Sequence, residues 1–307
     1  MKPHPIQLSR LAAAGVNLHV AQAGQGSAVL LLHGFPDHWR LWQPMMQALA
    51  PRHRVMAPDL RGINLSDKPA QVADYAIDQL VEDVVALIGH LTADQVGDQG
   101  GDRGRRCALV GHDWGGMLAW VVAARHPALV SRLIVFNAPH PCRLAQQLQH
   151  SAAQRAASDY VRRLCEPGAD AALAADGCAR LWAVRSAGRC GPALDAERAH
   201  CVQAWSQPGA LNAALNWYRA GNFAAALAPP GVAAVPDLAD ASGVVLSPTL
   251  VVWGERDGSF PVQCLDGLAQ WVPRLRVHRE AQGGHWLLDE QPELAAALVG
   301  EFLAESA

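Results

Sequence analysis

The ten residues Cys107-Ala108-Leu109-Val110-Gly111-His112-Asp113-Trp114-Gly115-Gly116 decide how the rest of the chain is read. A short apolar run ends in a turn flanked by glycines, and residues 117–125 are apolar and compatible with a helix. Strand, sharp turn and helix is the setting of the nucleophile elbow, whose usual pattern is G-x-S-x-G. Glycines permit the turn and bring the helix close to the strand, so the central side chain is thrust out at the upper edge of a sheet. Here that position holds Asp113 where serine is usual. A serine needs a base to take its proton before it attacks a carbonyl. A carboxylate, with an ordinary pKa of about 3.9, is already ionised at neutral pH. It can attack a saturated carbon directly and form an ester. The exchange points away from ester cleavage and towards opening an epoxide or displacing a halide.

Outward from the elbow, apolar runs of strand length recur at residues 28–32, 55–57, 107–110, 133–136 and 250–253, with a weaker candidate at 276–278. Between them, residues 77–91 place Leu80, Val81, Val84, Val85, Leu87 and Ile88 on one helical stripe, and residues 265–272 and 293–303 read similarly. Strands alternating with helices predict an α/β fold with a mostly parallel sheet covered on both faces.

That rhythm breaks over residues 140–247, which are rich in alanine, glutamine and arginine, hold five of the seven cysteines and show no convincing strand. Pro167-Gly168, Pro208-Gly209 and Pro230-Gly231 punctuate the stretch. The expected organisation is a core of residues 1–139, a helical cap of residues 140–247 inserted into it, and a core that resumes over residues 248–307. Residues 92–106, dense in Asp, Gly, Gln and Arg, are expected to form a solvated loop ahead of the nucleophile strand.

The bulk numbers exclude several classes. The 307 residues, half of them hydrophobic, suffice for a large core plus a cap. A net charge of −3 gives no reason to expect nucleic acid or an anionic membrane as partner. The seven cysteines form no C-x-x-C pair or zinc spacing and read as reduced thiols. No apolar stretch has signal-peptide or membrane-spanning length, so a soluble cytoplasmic protein is expected, monomer or homodimer being left open.

A triad on this architecture runs nucleophile, acid, histidine in chain order. After Asp113 the next acid at a strand end lies in Trp253-Gly254-Glu255-Arg256-Asp257-Gly258, followed by Gly283-Gly284-His285-Trp286 in a loop before the final helix. Asp257 is the expected acid, with Glu255 its rival as a surface or sheet-edge group, and His285 the expected base. His33-Gly34-Phe35-Pro36 directly follows the strand at 28–32. The backbone N–H groups of Phe35 and Trp114 would make an oxyanion hole. His33 and His112 read as hydrogen-bonded loop anchors.

With these residues in place the chain resembles the α/β-hydrolase superfamily and, within it, the soluble-type epoxide hydrolases, over nearly its whole length. The resemblance rests on His33-Gly34-Phe35-Pro36 with Trp39, Asp59-Leu60-Arg61-Gly62, Ser66-Asp67-Lys68-Pro69, residues 111–116 and Gly284-His285-Trp286. Asp159-Tyr160 with Glu166-Pro167-Gly168, and Asn216-Trp217-Tyr218-Arg219, are similar to that family's two cap-tyrosine regions. It implies an α/β-hydrolase fold with an inserted helical cap, and an epoxide and water as the partners, with no cofactor or metal. Asp113 would form the ester, His285 with Asp257 would activate water, and Tyr160 and Tyr218 would hold and protonate the epoxide oxygen. Phe35, Trp114, His140 and Trp217 are the expected substrate contacts.

Three departures stand out. Val161-Arg162-Arg163-Leu164-Cys165 replaces the aromatic neighbours usual around the first cap tyrosine, Ile63-Asn64-Leu65 replaces a glycine-containing turn, and the 92–106 connection is long. A haloalkane dehalogenase also uses an elbow aspartate beside a tryptophan, but usually has Asn or Glu where Phe35 stands and has no need of paired phenols. A fluoroacetate-type dehalogenase normally presents an arginine where this chain has Trp114. A non-catalytic ligand-binding module of this fold usually loses a triad member, whereas Asp113, Asp257 and His285 are all present.

Overall fold

The computed structural model describes residues 3–95, 105–227 and 243–305. Eight strands form one sheet: β1 (Gln7–Ala13), β2 (Val16–Ala23), β3 (Ser27–Leu32), β4 (His53–Pro58), β5 (Cys107–His112), β6 (Val130–Phe136), β7 (Thr249–Gly254) and β8 (Leu275–Glu280). Their order is β1-β2-β4-β3-β5-β6-β7-β8. The six strands from β4 to β8 are parallel, and β2 pairs antiparallel with both β1 and β4.

The strands that were legible as apolar runs are the ones buried on both faces. In β3, Leu30 and Leu32 join one core while Val29 and Leu31 join the other. The same alternation sends Leu109 and Val110 of β5, and Leu133 and Ile134 of β6, to opposite sides. Helices Ile77–Thr92 and Asp113–Arg125 cover one side; Gln43–Leu49 and Pro292–Ala304 cover the other.

Three expectations need correction. The hairpin of β1 and β2, turning at Gly15 (φ 81°), was not anticipated. Residues 265–272 are not an α-helix but two short 3₁₀ turns, Val262–Leu265 and Leu268–Gln270, because Gly267 at φ 71° breaks the run. The solvated loop does not begin at Thr92: this residue is fully buried at the end of its helix, its hydroxyl donating to the Ile88 carbonyl at 2.8 Å. A 3₁₀ turn follows at Ala93–Gln95, and residues 96–104 lie outside the described residues.

Between β6 and β7 every described element is helical, from Pro141–His150 to Phe223–Ala226. The long segment Ala169–Ser186 is broken at residues 175–178, where Asp176, Gly177 and Cys178 all have positive φ. This insertion is fastened to the sheet domain by buried polar contacts. Arg185, fully buried, bridges Asp37 after β3 and Asp289 near the C-terminal helix, the latter at 3.0 Å. The Trp205 indole N–H donates to the Pro36 carbonyl at 2.6 Å, and that of Trp217 to the Arg61 carbonyl at 3.0 Å. All seven cysteines are free thiols. Among the described residues no helix is long and apolar enough to cross a membrane.

Candidate active site

The turn after β5 holds Asp113 at φ 52°, a left-handed conformation that Asp and Asn tolerate better than most residues. Gly115 shows why the motif needs glycine: a Cβ there would stand 2.2 Å from the Leu32 carbonyl oxygen. Gly34 has the same logic from the other side, since its Cβ would stand 2.3 Å from Asp113 Oδ1. The Asp113 carboxylate occupies the space that this missing side chain leaves.

The two carboxylate oxygens of Asp113 have different surroundings. Oδ1 accepts the Phe35 N–H at 2.9 Å, and the Trp114 N–H also bonds this carboxylate. Oδ2 lies 3.5 Å from His285 Nε2. Burial works to raise the Asp113 pKa, but the hydrogen bond and charge of His285, together with the Trp114 N–H, hold it below the ordinary carboxylate value. The group is therefore anionic at neutral pH although only 4 % exposed.

His285 Nδ1 donates to Asp257 Oδ2 at 2.8 Å, which fixes the ring and turns Nε2 towards Asp113. Burial would lower the His285 pKa; the charge of Asp257 and its hydrogen bonds to both carboxylates outweigh that and push it up to about 10. Asp257 in turn is held by the backbone N–H groups of Ser259 (2.7 Å) and Phe260 (3.0 Å) on Oδ1, and by Asn137 Nδ2 (2.8 Å) on Oδ2. Glu255 pairs outward with Arg279 at 2.5 Å and takes no part.

Above the carboxylate sit two phenols from the insertion. Tyr160 opens the helix Tyr160–Cys165, and Tyr218 lies on Ala210–Ala220. Burial raises both phenol pKa values, and the neighbouring Asp113 charge adds to this, so both stay protonated. The two hydroxyl groups also interact with each other, and Tyr160 with Ser259. Tyr218 is wedged edge-on against Phe35 (5.6 Å) and Trp114 (5.2 Å). Asp113, His285, Tyr160, Tyr218, Phe35 and Ser259 line one cavity of about 360 Å³ whose remaining wall is largely apolar. A fixed carboxylate facing two neutral proton donors and a charged imidazole is equipped for attack on carbon followed by hydrolysis.

Not every expected contact reaches this cavity. His140 is turned away: its ring stacks on Trp271 at 5.0 Å, Nε2 donates to the Gly243 carbonyl and Nδ1 accepts the Cys142 N–H. Trp217 is spent on the Arg61 carbonyl and on the edge of Trp114 at 5.6 Å. The Trp114 ring lines a separate space of about 20 Å³ that also touches Asp113 and both tyrosines. His33 accepts the Leu60 N–H at 3.1 Å, and His112 donates to the His285 carbonyl at 2.8 Å, so both anchor loops as expected. Asn137 and Ser259 were not anticipated. An asparagine directly after the apolar strand at 133–136 was the available signal for the first; Ser259 carried none.

The profile of a family described as "alpha/beta hydrolase fold" matches residues 27–292. The mouse protein named epoxide hydrolase 4 is 31 % identical over 306 residues, covering 96 % of this chain and 79 % of its own length. The Bacillus subtilis AB hydrolase superfamily protein YfhM is 32 % identical, covering 94 % of this chain and 95 % of its own. A Bacillus megaterium epoxide hydrolase, solved with an inhibitor, superposes with a TM-score of 0.82 at 30 % identity, over 97 % of this chain and all of that one.

Proposed function

The chain belongs to the alpha/beta hydrolase fold family, among its epoxide hydrolases, and from that premise we propose that it converts an epoxide to a vicinal diol through an ester on Asp113. The observation that carries this reading is the pair of protonated, buried phenols, Tyr160 and Tyr218, lining one cavity with an ionised carboxylate. Opening an epoxide generates an alkoxide, a far stronger base than phenolate, so a phenol can bind the oxygen and then donate its proton. A departing halide needs no proton, so the same pair would be idle in a dehalogenase. The helices from Pro141–His150 to Phe223–Ala226 act as the cap that brings the phenols over the sheet domain.

In the first step Asp113 Oδ2, the oxygen not held by Phe35, attacks a ring carbon in line with the breaking C–O bond while a tyrosine supplies the proton. Orientation of this kind contributes several kcal/mol in favourable cases. Ester formation removes the negative charge beside Nε2, so the His285 pKa falls and the imidazole gives up its proton, which restores the phenol left deprotonated by ring opening. It then serves as base. His285, oriented by Asp257, takes a proton from water, which attacks Asp113 Cγ. The oxyanion that forms is Oδ1, which accepts the Phe35 N–H, and the Trp114 N–H bonds the same carboxylate. Each such donor is worth about 2.7–4 kcal/mol where it has been tested. Cγ–Oδ2 breaks as His285 returns its proton to the departing Oδ2 and takes the one left on the new Cγ hydroxyl, so the diol leaves and the carboxylate is restored with an oxygen from water.

A single turnover in heavy-oxygen water with enzyme in excess tests the ester route directly. The first diol should contain ordinary oxygen from Asp113, the label entering the protein instead. Label in the diol from the outset would mean that water attacks the ring directly. For the acid, Tyr160→Phe and Tyr218→Phe singly should slow ring opening by about 10²-fold or less, and the double variant by about 10⁴-fold, in the range of general-acid contributions. Stopped-flow ester formation reads this, and wild-type rates in the double variant would remove the tyrosines from the chemistry.

A further inference from the structure

The cavity that holds Asp113 is lined by polar, apolar and basic residues. Its floor is polar: Asp113, His285, the two phenols and Ser259. Its wall is apolar, with Leu164, Leu173 and Leu181 among the lining side chains. At the rim stand two guanidinium groups, Arg163 and Arg180, both on exposed residues. They come from different elements. Arg163 lies one helical turn after Tyr160 on the helix Tyr160–Cys165, and Arg180 follows the break at residues 175–178 in the next helical segment.

Neighbouring arginines of the insertion are already committed. Arg162 bonds Asp159 and the Leu227 carbonyl, Arg185 is sealed between Asp37 and Asp289, and Arg189 pairs with Asp289. Arg163 and Arg180 make neither an ion pair nor a side-chain hydrogen bond among the described residues. Two cations on the exposed part of a largely apolar lining focus a positive potential on whatever enters. Arginine is also the side chain best suited to grip a carboxylate through a planar fork.

We infer that Arg163 and Arg180 form an anion-binding rim, and that the preferred substrate is an epoxide with a compact apolar body ending in an anionic group such as a carboxylate. This rests on the epoxide-hydrolase reading of the cavity floor. The volume of about 360 Å³ is near the low end for ligand cavities, about 300–1,000 Å³, so the body is short and the anion stays at the half-solvated rim. Leaving the charge there avoids the cost of burying it. It also sets the size of the effect. Exposed ion pairs are worth a few-fold each, so the two arginines together give about tenfold.

The test uses three epoxides of one apolar body and one spacer length, ending in a carboxylate, its methyl ester or a quaternary ammonium. In the wild type kcat/KM should fall in that order, the carboxylate exceeding the ester by about tenfold, with the gain in KM and lost in about 1 M salt, where the Debye length is about 3 Å. Arg163→Gln with Arg180→Gln should bring the carboxylate-to-ester ratio to about one, and Arg163→Lys with Arg180→Lys should keep most of it. Calorimetric affinities of the three corresponding diols give a reading that needs no turnover. Equal turnover of acid and ester together with equal diol affinity would overturn the anionic rim and leave the reaction intact. A preference that survives the double glutamine variant would overturn it as well. Preferential binding of the acid diol with no epoxide opened would sink the reaction while sustaining the rim.

Discussion

Asp113→Asn is expected to lower diol formation by about 10⁴-fold or more, the scale on which nucleophile deletions act in triad enzymes. Asparagine is the informative replacement. It is close to isosteric, it tolerates the φ of 52° at the elbow, and its side-chain oxygen can still accept the Phe35 N–H. What it lacks is the anionic oxygen now 3.5 Å from His285 Nε2, so no ester can form. Intact-protein mass spectrometry should therefore show no adduct at any time, while affinity for a diol or an unreactive substrate analogue stays within a few-fold. Turnover within tenfold of wild type would mean that residue 113 is not the atom donor, and the two-step mechanism would go with it.

His285→Gln separates the two halves of the reaction. Ring opening needs Asp113 and the phenols, so the first step should proceed and the protein should gain the mass of one substrate molecule. Hydrolysis needs a base, and its removal should slow that step by about 10²–10⁴-fold. The adduct should persist for minutes to hours while free diol stays at or below one equivalent. Absence of an accumulating adduct, with slow but steady turnover, would place His285 outside ester hydrolysis. The same variant has a signature in stability. In the wild type the imidazole is held charged, its pKa pushed from 6.5 up to about 10. Stability from such a group is complete below pH 6.5 and is lost as the pH rises through 10. The wild type should lose melting temperature between pH 7 and 10, and His285→Gln should show a flatter profile over that window.

The sheet was readable wherever burial on both faces turned a strand into an unbroken apolar run, as in residues 28–32 and 250–253. The N-terminal hairpin escaped because β1 is mostly exposed and β2 carries His19, a polar residue buried only because Asp59 meets its ring at 2.7 Å. Asp113, Asp257 and His285 were legible from chain order, since each falls in a loop after a parallel strand and such loops open on the same edge. The tyrosines needed a family likeness, because two isolated aromatics in a helical segment have no local signature. His140 and Trp217 were expected at the substrate and do not line the cavity that holds Asp113. Both carry ring N–H groups that had to find partners on burial, and the partners they found, Gly243 and Arg61, are backbone carbonyls away from the cavity. Asn137 shows the complementary limit. Its side chain stitches β6 to Gly254 at the end of β7 and steadies Asp257, a role set by the register of strands far apart in sequence.

Asn64 shows how one departure from the family pattern is absorbed. It stands where a glycine-containing turn is usual, adopts φ 45°, and donates to Asp59 Oδ2 at 2.8 Å. The turn is kept and gains a hydrogen bond.

The Arg185 bridge also bears on cohesion. Its guanidinium touches Asp37, two residues beyond Phe35, and Asp37 also accepts the indole N–H of Trp286, the residue after His285, at 2.9 Å. Hinging the helices away from the sheet would strand a desolvated carboxylate and cost on the order of 3–5 kcal/mol at that point alone. That one buried network ties the insertion, the loop after β3 and the loop carrying His285 into a single unit.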